Sequence, residues 1–173
     1  MNIEEKLSSG NLIYQKNTRD NISKSQLNKE LAKGQNPYAL IITCSDSRVI
    51  PEEIFNASIG ELFVIRSAGN VINDGELASI EYGIEHLNIK YVLVLGHTSC
   101  GAVHAAIHDG KGMYLSPVLS RIKEGIGLEK DERKCSIMNA DKQVEYIKSK
   151  FPKYDGEIKA GLYDILTNVV TIL

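Results

Sequence analysis

Three short runs, Tyr38–Thr43 (YALIIT), Glu61–Arg66 (ELFVIR) and Tyr91–Gly96 (YVLVLG), are dominated by apolar residues and bounded by polar ones. A surface helix repeats its apolar residues every three or four positions, and a strand with one wet face alternates. Runs this short with no polar face fit strands buried on both sides, and such strands belong to parallel sheets. Parallel strands need long crossovers, usually helical. The chain supplies them. Asp74–Asn88 (DGELASIEYGIEHLN) sets Leu77, Ile80, Ile84 and Leu87 at helical spacing, with Asp74 as the expected N-cap. GAVHAAIHDG reads as a helix ended by Gly110. The stretch from Lys111 to Lys150 is mostly polar and helical, with DKQVEYIKSKF its clearest helix. Glu157–Ile165 and Val169–Leu173 read as closing strands, a hairpin around Thr167 and Asn168. The expected fold is α/β, a central and mainly parallel β-sheet flanked by helices.

The N-terminal part is different. SKSQLNKELAKGQ is rich in helix formers and reaches Gly34, a fitting C-cap. One or two N-terminal helices are expected to pack on a partner subunit. With 173 residues, no repeat and no linker, one domain over 1–173 is expected, made of a helical arm (1–34) and a core (35–173). A hydrophobic content of 43% with 24% charged residues excludes a disordered chain. A net charge of -2 lacks the basic footprint of a nucleic-acid binder. No apolar run approaches the roughly 20 residues of a membrane helix. MNIEEKLSSG lacks the basic start and apolar segment of a signal peptide, so a cytoplasmic location is expected.

In a reducing compartment the three cysteines, Cys44, Cys100 and Cys135, favour metal binding or catalysis over a disulfide framework. Two of them stand where strands end. The first run leads into TCSDSR and the third into GHTSCG. Ligands of open α/β sheets bind outside the carboxyl ends of strands, so the two motifs can meet. Cys44, His97 and Cys100 then offer two thiols and an imidazole, ligands that zinc prefers, with a fourth position left open. From these residues alone, buried small cysteines and a satisfied loop histidine are an equal alternative. Asp46 and Arg48 alternate with Cys44 on one side of an extended segment. Asp46 is placed either to bind a metal or to pair with Arg48. His97, Cys100, His104 and His108 form a stripe at helical spacing, and His104 and His108 read as helix-surface residues. Cys135 reads as a structural or incidental thiol.

CSDSR followed by GHTSCG resembles the β-class carbonic anhydrases, and LAKGQNPY, GELFVIRSAGN, SIEYGIEHL and GLYDI fall in that family's order. The resemblance runs from about Gln26 to the C-terminus. It implies one zinc ion per chain on Cys44, His97 and Cys100, with water or hydroxide as fourth ligand. It implies reversible hydration of carbon dioxide to bicarbonate and a proton, by attack of zinc-bound hydroxide. Asp46 would accept a hydrogen bond from that hydroxide and Arg48 would hold Asp46. Gln35 would donate to the substrate. Phe63, Ala68 and Tyr82 would line the substrate pocket, partly across a dimer interface, and Gly101 would present its backbone amide near the metal. The implied assembly is a homodimer, or a homotetramer built from it.

Some members close the site by letting the aspartate bind zinc as fourth ligand, helped by bicarbonate in a second pocket of Trp, Arg and Tyr. Here Arg66 and Tyr163 match, but Ile41 holds the Trp position and the chain has no Trp. An open site, with Asp46 paired to Arg48 near neutral pH, is therefore expected. The alternatives on the same frame are a carbon disulfide or carbonyl sulfide hydrolase and a catalytically degenerate zinc-binding scaffold.

Overall fold

The computed structural model describes Ile13, Gln15, Lys29 and residues 31–173. The chain divides into two compact units, Met1–Gln35 and Asn36–Leu173. In the first, Lys29 and Leu31 are helical, and the Gly34 amide donates to the Leu31 carbonyl at 3.2 Å. The rest of the expected N-terminal helices lies outside the described residues.

The second unit is built on a five-stranded sheet in the order β2-β1-β3-β4-β5. The strands are β1 (Ala39–Cys44), β2 (Leu62–Ser67), β3 (Tyr91–His97), β4 (Glu157–Tyr163) and β5 (Val170–Ile172). β1 to β4 pair in parallel and β5 pairs antiparallel with β4, Tyr163 facing Val170. Of the three runs read as buried strands, β1 and β3 are neighbours near the centre, and every residue of β1 is buried. β2 instead lies at the sheet edge, with only Ile65 buried and Arg66 exposed. Alternation along β1 divides the core. Leu40 and Ile42 join Ile80, Ile84, Val144 and Ile147 on one face. Ala39 and Ile41 join Val49, Leu93, Leu95 and Tyr163 on the other.

The helices are α1 (Pro51–Ile54), α2 (Asp74–Glu81), α3 (Gly101–Ile107), α4 (Ser116–Ile126) and α5 (Glu132–Lys150). Three boundaries differ from expectation. Asn73, not Asp74, is the N-cap of α2, and the Glu76 carboxylate accepts from the Asn73 amide at 2.9 Å. Asp74 is instead the first helical residue, where its charge complements the exposed amides. After Glu81 the helix widens into a π turn over Tyr82–His86, and the Leu87 amide reaches back to the Tyr82 carbonyl. α3 ends at His108 rather than Gly110, because Asp109 already takes a positive φ of 55°.

α5 packs across β3 and β4. A Cβ at Gly96 would lie 3.0 Å from the Ser136 carbonyl oxygen and 3.6 Å from Ala140 Cβ. The absent side chain lets α5 sit close to the end of β3, one residue before His97.

The sheet order places a switch point between β1 and β3. From β1 the chain moves to β2 on one side, and from β3 to β4 on the other. Their carboxyl ends, Cys44 and His97, therefore flank the crevice that such a reversal opens.

Truncating the centre of this sheet is expected to be costly. Ile42 is fully buried and faces Ile65 and Val94 across the two ladders. Ile42→Ala should lose about 2–5 kcal/mol in urea unfolding, with an unchanged m-value. Leu128→Ala, at a side chain 94% exposed, should stay within about 0.5 kcal/mol of wild type.

Candidate metal centre

Cys44 closes β1, His97 closes β3, and Cys100 is the N-cap of α3. Their exposures are 6%, 0% and 1%. The two Sγ atoms are 3.9 Å apart, and the ligand atoms of all three residues lie within 4.8 Å of one another. His97 Nδ1 lies 2.9 Å from the Thr98 carbonyl oxygen. A carbonyl can only accept, so Nδ1 carries the proton and Nε2 keeps its lone pair. Nε2 is buried with no hydrogen-bond partner. Leaving such an atom unmet costs about 1–3 kcal/mol. Two thiols and one unmet imidazole nitrogen, largely buried, suit a soft or borderline cation.

The sulfurs are prepared for negative charge. The Gly69 amide donates to Cys44 Sγ at 3.3 Å. The neighbouring Cys100 thiol, followed by His97 and the amides of Asp46 and Gly69, holds Cys44 below the usual thiol range despite its burial. Cys44 beside it, together with burial, pushes Cys100 up, while the amides of Val103 and Ala102 pull the other way. Two sulfurs 3.9 Å apart in a buried site cannot both carry negative charge unaided. A cation between them would let both ionise.

Asp46 does not face a metal alone. Arg48 donates to it three times, from Nε to Oδ1 at 2.9 Å, from Nη2 to Oδ2 at 2.7 Å and from the backbone amide to Oδ1 at 3.0 Å. These bonds hold its carboxyl well below the usual carboxylate range. Arg48 Nη2 also donates to the Ser99 carbonyl at 3.1 Å, joining the segment after β1 to the loop before Cys100.

Other placed residues divide into two groups. Gly101 opens α3 directly after Cys100, and Ala68 precedes Gly69 in the short 3-10 turn Ala68–Asn70. Phe63 and Tyr82 lie elsewhere. Phe63 is paired with Leu40, four residues before Cys44 and so about 13 Å along the strand. The two rings pack on each other, with centroids 6.1 Å apart, and Tyr82 is 45% exposed. Gln35 is exposed and ends the first unit. His104 and His108 are both exposed on and just past α3. Cys135 is buried, its Sγ on the Glu129 carbonyl.

Three residues support the centre without a signal in the sequence motifs. Arg66, matched above only to a second pocket, donates to the Cys44 and Asp46 carbonyls at 3.3 and 2.7 Å. Asn139 Nδ2 donates to the Gly69 carbonyl at 2.8 Å, and Gln143 Nε2 donates to Asn139 Oδ1 at 3.3 Å. The amide of Ile72 donates to Gln143 Oε1 at 3.0 Å. α5 thus fixes the turn that brings the Gly69 amide to Cys44. Two buried amides one helical turn apart, on the face of α5 that packs inward, were the only available hint.

A family model described as carbonic anhydrase matches residues 39–167. A Coccomyxa β-carbonic anhydrase superposes with a TM-score of 0.82 at 25% identity, covering 99% of this chain and 86% of that one. The chain belongs to the β-class carbonic anhydrase family. A Sordaria macrospora member, described as tetrameric, superposes with a TM-score of 0.78 at 27% identity, over 98% of this chain and 95% of that one. Carbonic anhydrase 2 of Mycobacterium tuberculosis is 48% identical over 101 residues, 56% of this chain and 49% of the relative. The chain spans about half the length of that curated relative.

The support beneath Cys44 is open to test. Gly69 has φ of 63°, and an added Cβ would meet Ile122 Cδ1 at 2.9 Å and Ala102 Cβ at 3.0 Å. Gly69→Ala should lower stability by more than about 1 kcal/mol in denaturant unfolding. Asn139→Ala should stay folded and weaken zinc binding by about 10–100-fold in competition with a chromophoric chelator.

Proposed function

We propose that this chain catalyses the reversible hydration of carbon dioxide to bicarbonate and a proton, with zinc held by Cys44, His97 and Cys100. The observation that carries the reading is the buried, unpartnered His97 Nε2 beside two sulfurs 3.9 Å apart. When bound, zinc supplies Lewis acidity that brings a coordinated water toward ionisation near neutral pH, to about 7 in carbonic anhydrases with three histidine ligands.

The protein's own groups then set geometry and proton positions. His97 keeps Nε2 unprotonated through its Nδ1–H bond to the Thr98 carbonyl. Asp46, ionised and braced by Arg48, accepts a hydrogen bond from the attacking oxygen. That oxygen is left with its lone pair aimed at the carbon of the substrate. Arg48 donates to both carboxylate oxygens, which supports Asp46 as an orienter rather than a fourth ligand in the resting site. Gly101 contributes its amide near the reacting centre, and Ala68 an apolar wall beside the Gly69 turn.

Phe63 and Tyr82 act across a homodimer interface. The distance of Phe63 from Cys44 along the sheet, the packing of Tyr82 on Phe63 and the exposure of Tyr82 support a role toward a second chain rather than their own. The homodimer assembles further into a homotetramer, as the description of the Sordaria relative suggests. No described helix is long and apolar enough to cross a membrane, and a cytoplasmic location fits a centre that needs reduced cysteines.

Metal analysis with stopped-flow carbon dioxide hydration tests the reading. Wild type should hold about one zinc per buried group and hydrate rapidly. Asp46→Ala should retain that zinc and lose at least about 100-fold in kcat/KM. Zinc without hydration would overturn the assignment in favour of a sulfur-substrate hydrolase or an inactive scaffold. A crystal structure of the zinc-loaded protein at about neutral pH should keep Asp46 on Arg48, and Asp46 on the metal would refute the open resting site.

A further inference from the structure

We propose that His104, His108 and Glu132 form a second, surface site for a divalent transition-metal ion, separate from the buried Cys44–His97–Cys100 group. Among the described residues these are the only two sets whose ligand atoms all fall within 4.8 Å of one another.

His104 and His108 are one turn apart, so both imidazoles leave the same side of α3. Their ring centroids are 4.4 Å apart. Glu132 reaches them from the first residue of α5, with Oε1 2.6 Å from His104 Nδ1. The three side chains converge from two different helices. Two imidazoles and one carboxylate are a ligand set for zinc, nickel or copper and not for calcium or magnesium, which take oxygen ligands. Ligands at about 2.0–2.2 Å lie within about 4.2 Å of each other, so the exposed side chains need only a small movement to close on an ion. Three protein ligands leave further positions to water.

The site would also have a mechanical effect. Cys100 caps α3, and its carbonyl accepts from the His104 amide at 2.9 Å. α5 carries Asn139, which holds the Gly69 turn. An ion on His104, His108 and Glu132 ties together the two helices that support the buried centre, and should raise the thermal midpoint by binding only the folded state.

The test is calorimetric titration of the purified protein with zinc chloride, with bound metal counted after gel filtration. Wild type should bind one equivalent more than the His104→Gln/His108→Gln double variant, and added zinc should raise the thermal midpoint of wild type above any rise in the variant. Glu132→Gln should weaken the extra equivalent at least about tenfold. All these positions are exposed or half-buried, and far-UV circular dichroism confirms that the variants fold. Equal stoichiometry in wild type and double variant overturns the proposal, as does an extra equivalent bound unchanged by Glu132→Gln. The readout is a difference between two proteins, so it does not depend on whether the buried group is filled or active.

Discussion

Two sulfurs and a bare imidazole nitrogen are packed together at the buried ends of two central strands, and the rest of the core unit is arranged around that fact. Each group alone would be a liability. A buried nitrogen with no donor costs free energy, and two thiols this close cannot both ionise without a positive charge between them. The fold sets the positions of all three. β1 and β3 are adjacent central strands, so the separation of Cys44 and His97 is set by the sheet itself. Cys100 is added by the turn that converts β3 into α3. Rigid elements, rather than the loops alone, set the ligand positions, which is what a preorganised metal site requires.

Division of labour among the charged groups follows from the same geometry. Arg48 satisfies Asp46 and reaches the Ser99 carbonyl, while Arg66 satisfies the backbone on either side of Ser45. One guanidinium controls the carboxylate and the other controls the chain that carries it. Backbone amides serve the sulfurs: Gly69 for Cys44, and the start of α3 for Cys100. A sulfur that accepts N–H bonds gives less charge to a metal, and this offsets part of the extra donation expected of thiolates over imidazoles.

Much of this was legible in the sequence. The apolar runs located β1, β2 and β3 to within a residue at each end; burial on both faces explains the pattern of β1 and β3, while β2 is an edge strand with only Ile65 buried. The hairpin after Tyr163 was legible from its turn residues, and Asn168 takes the positive φ of 59° that such a turn uses. Cys44, His97 and Cys100 were legible as candidates because they fall at strand ends, but residue types alone did not separate ligands from buried small side chains. The orphaned Nε2 separates them. What escaped was whatever depends on contacts between distant elements. Asn139 and Gln143 look like ordinary polar positions of a polar helix, yet both are buried, at 0% and 2% exposure. The π turn at Tyr82 escaped because its apolar spacing matches an α-helix; the extra residue shows only in the hydrogen bonds.

Arg66 gives the last step. In relatives with a regulatory bicarbonate pocket, an Arg and a Tyr work with a Trp. Here the residue in the Trp position, Ile41, is buried at 3% exposure among Leu93, Leu95 and Tyr163. Tyr163 donates to Asn168 at 2.8 Å, and Arg66 donates to two carbonyls of the β1 exit. Tyr163 and part of the Arg66 guanidinium are therefore engaged within the fold, and an isoleucine side chain has no N–H to offer an anion. Arg66 braces the segment between Cys44 and Asp46 from both of its ends. It thereby ties the segment that carries the Asp46 carboxylate to β2 and keeps it in register beside the metal centre.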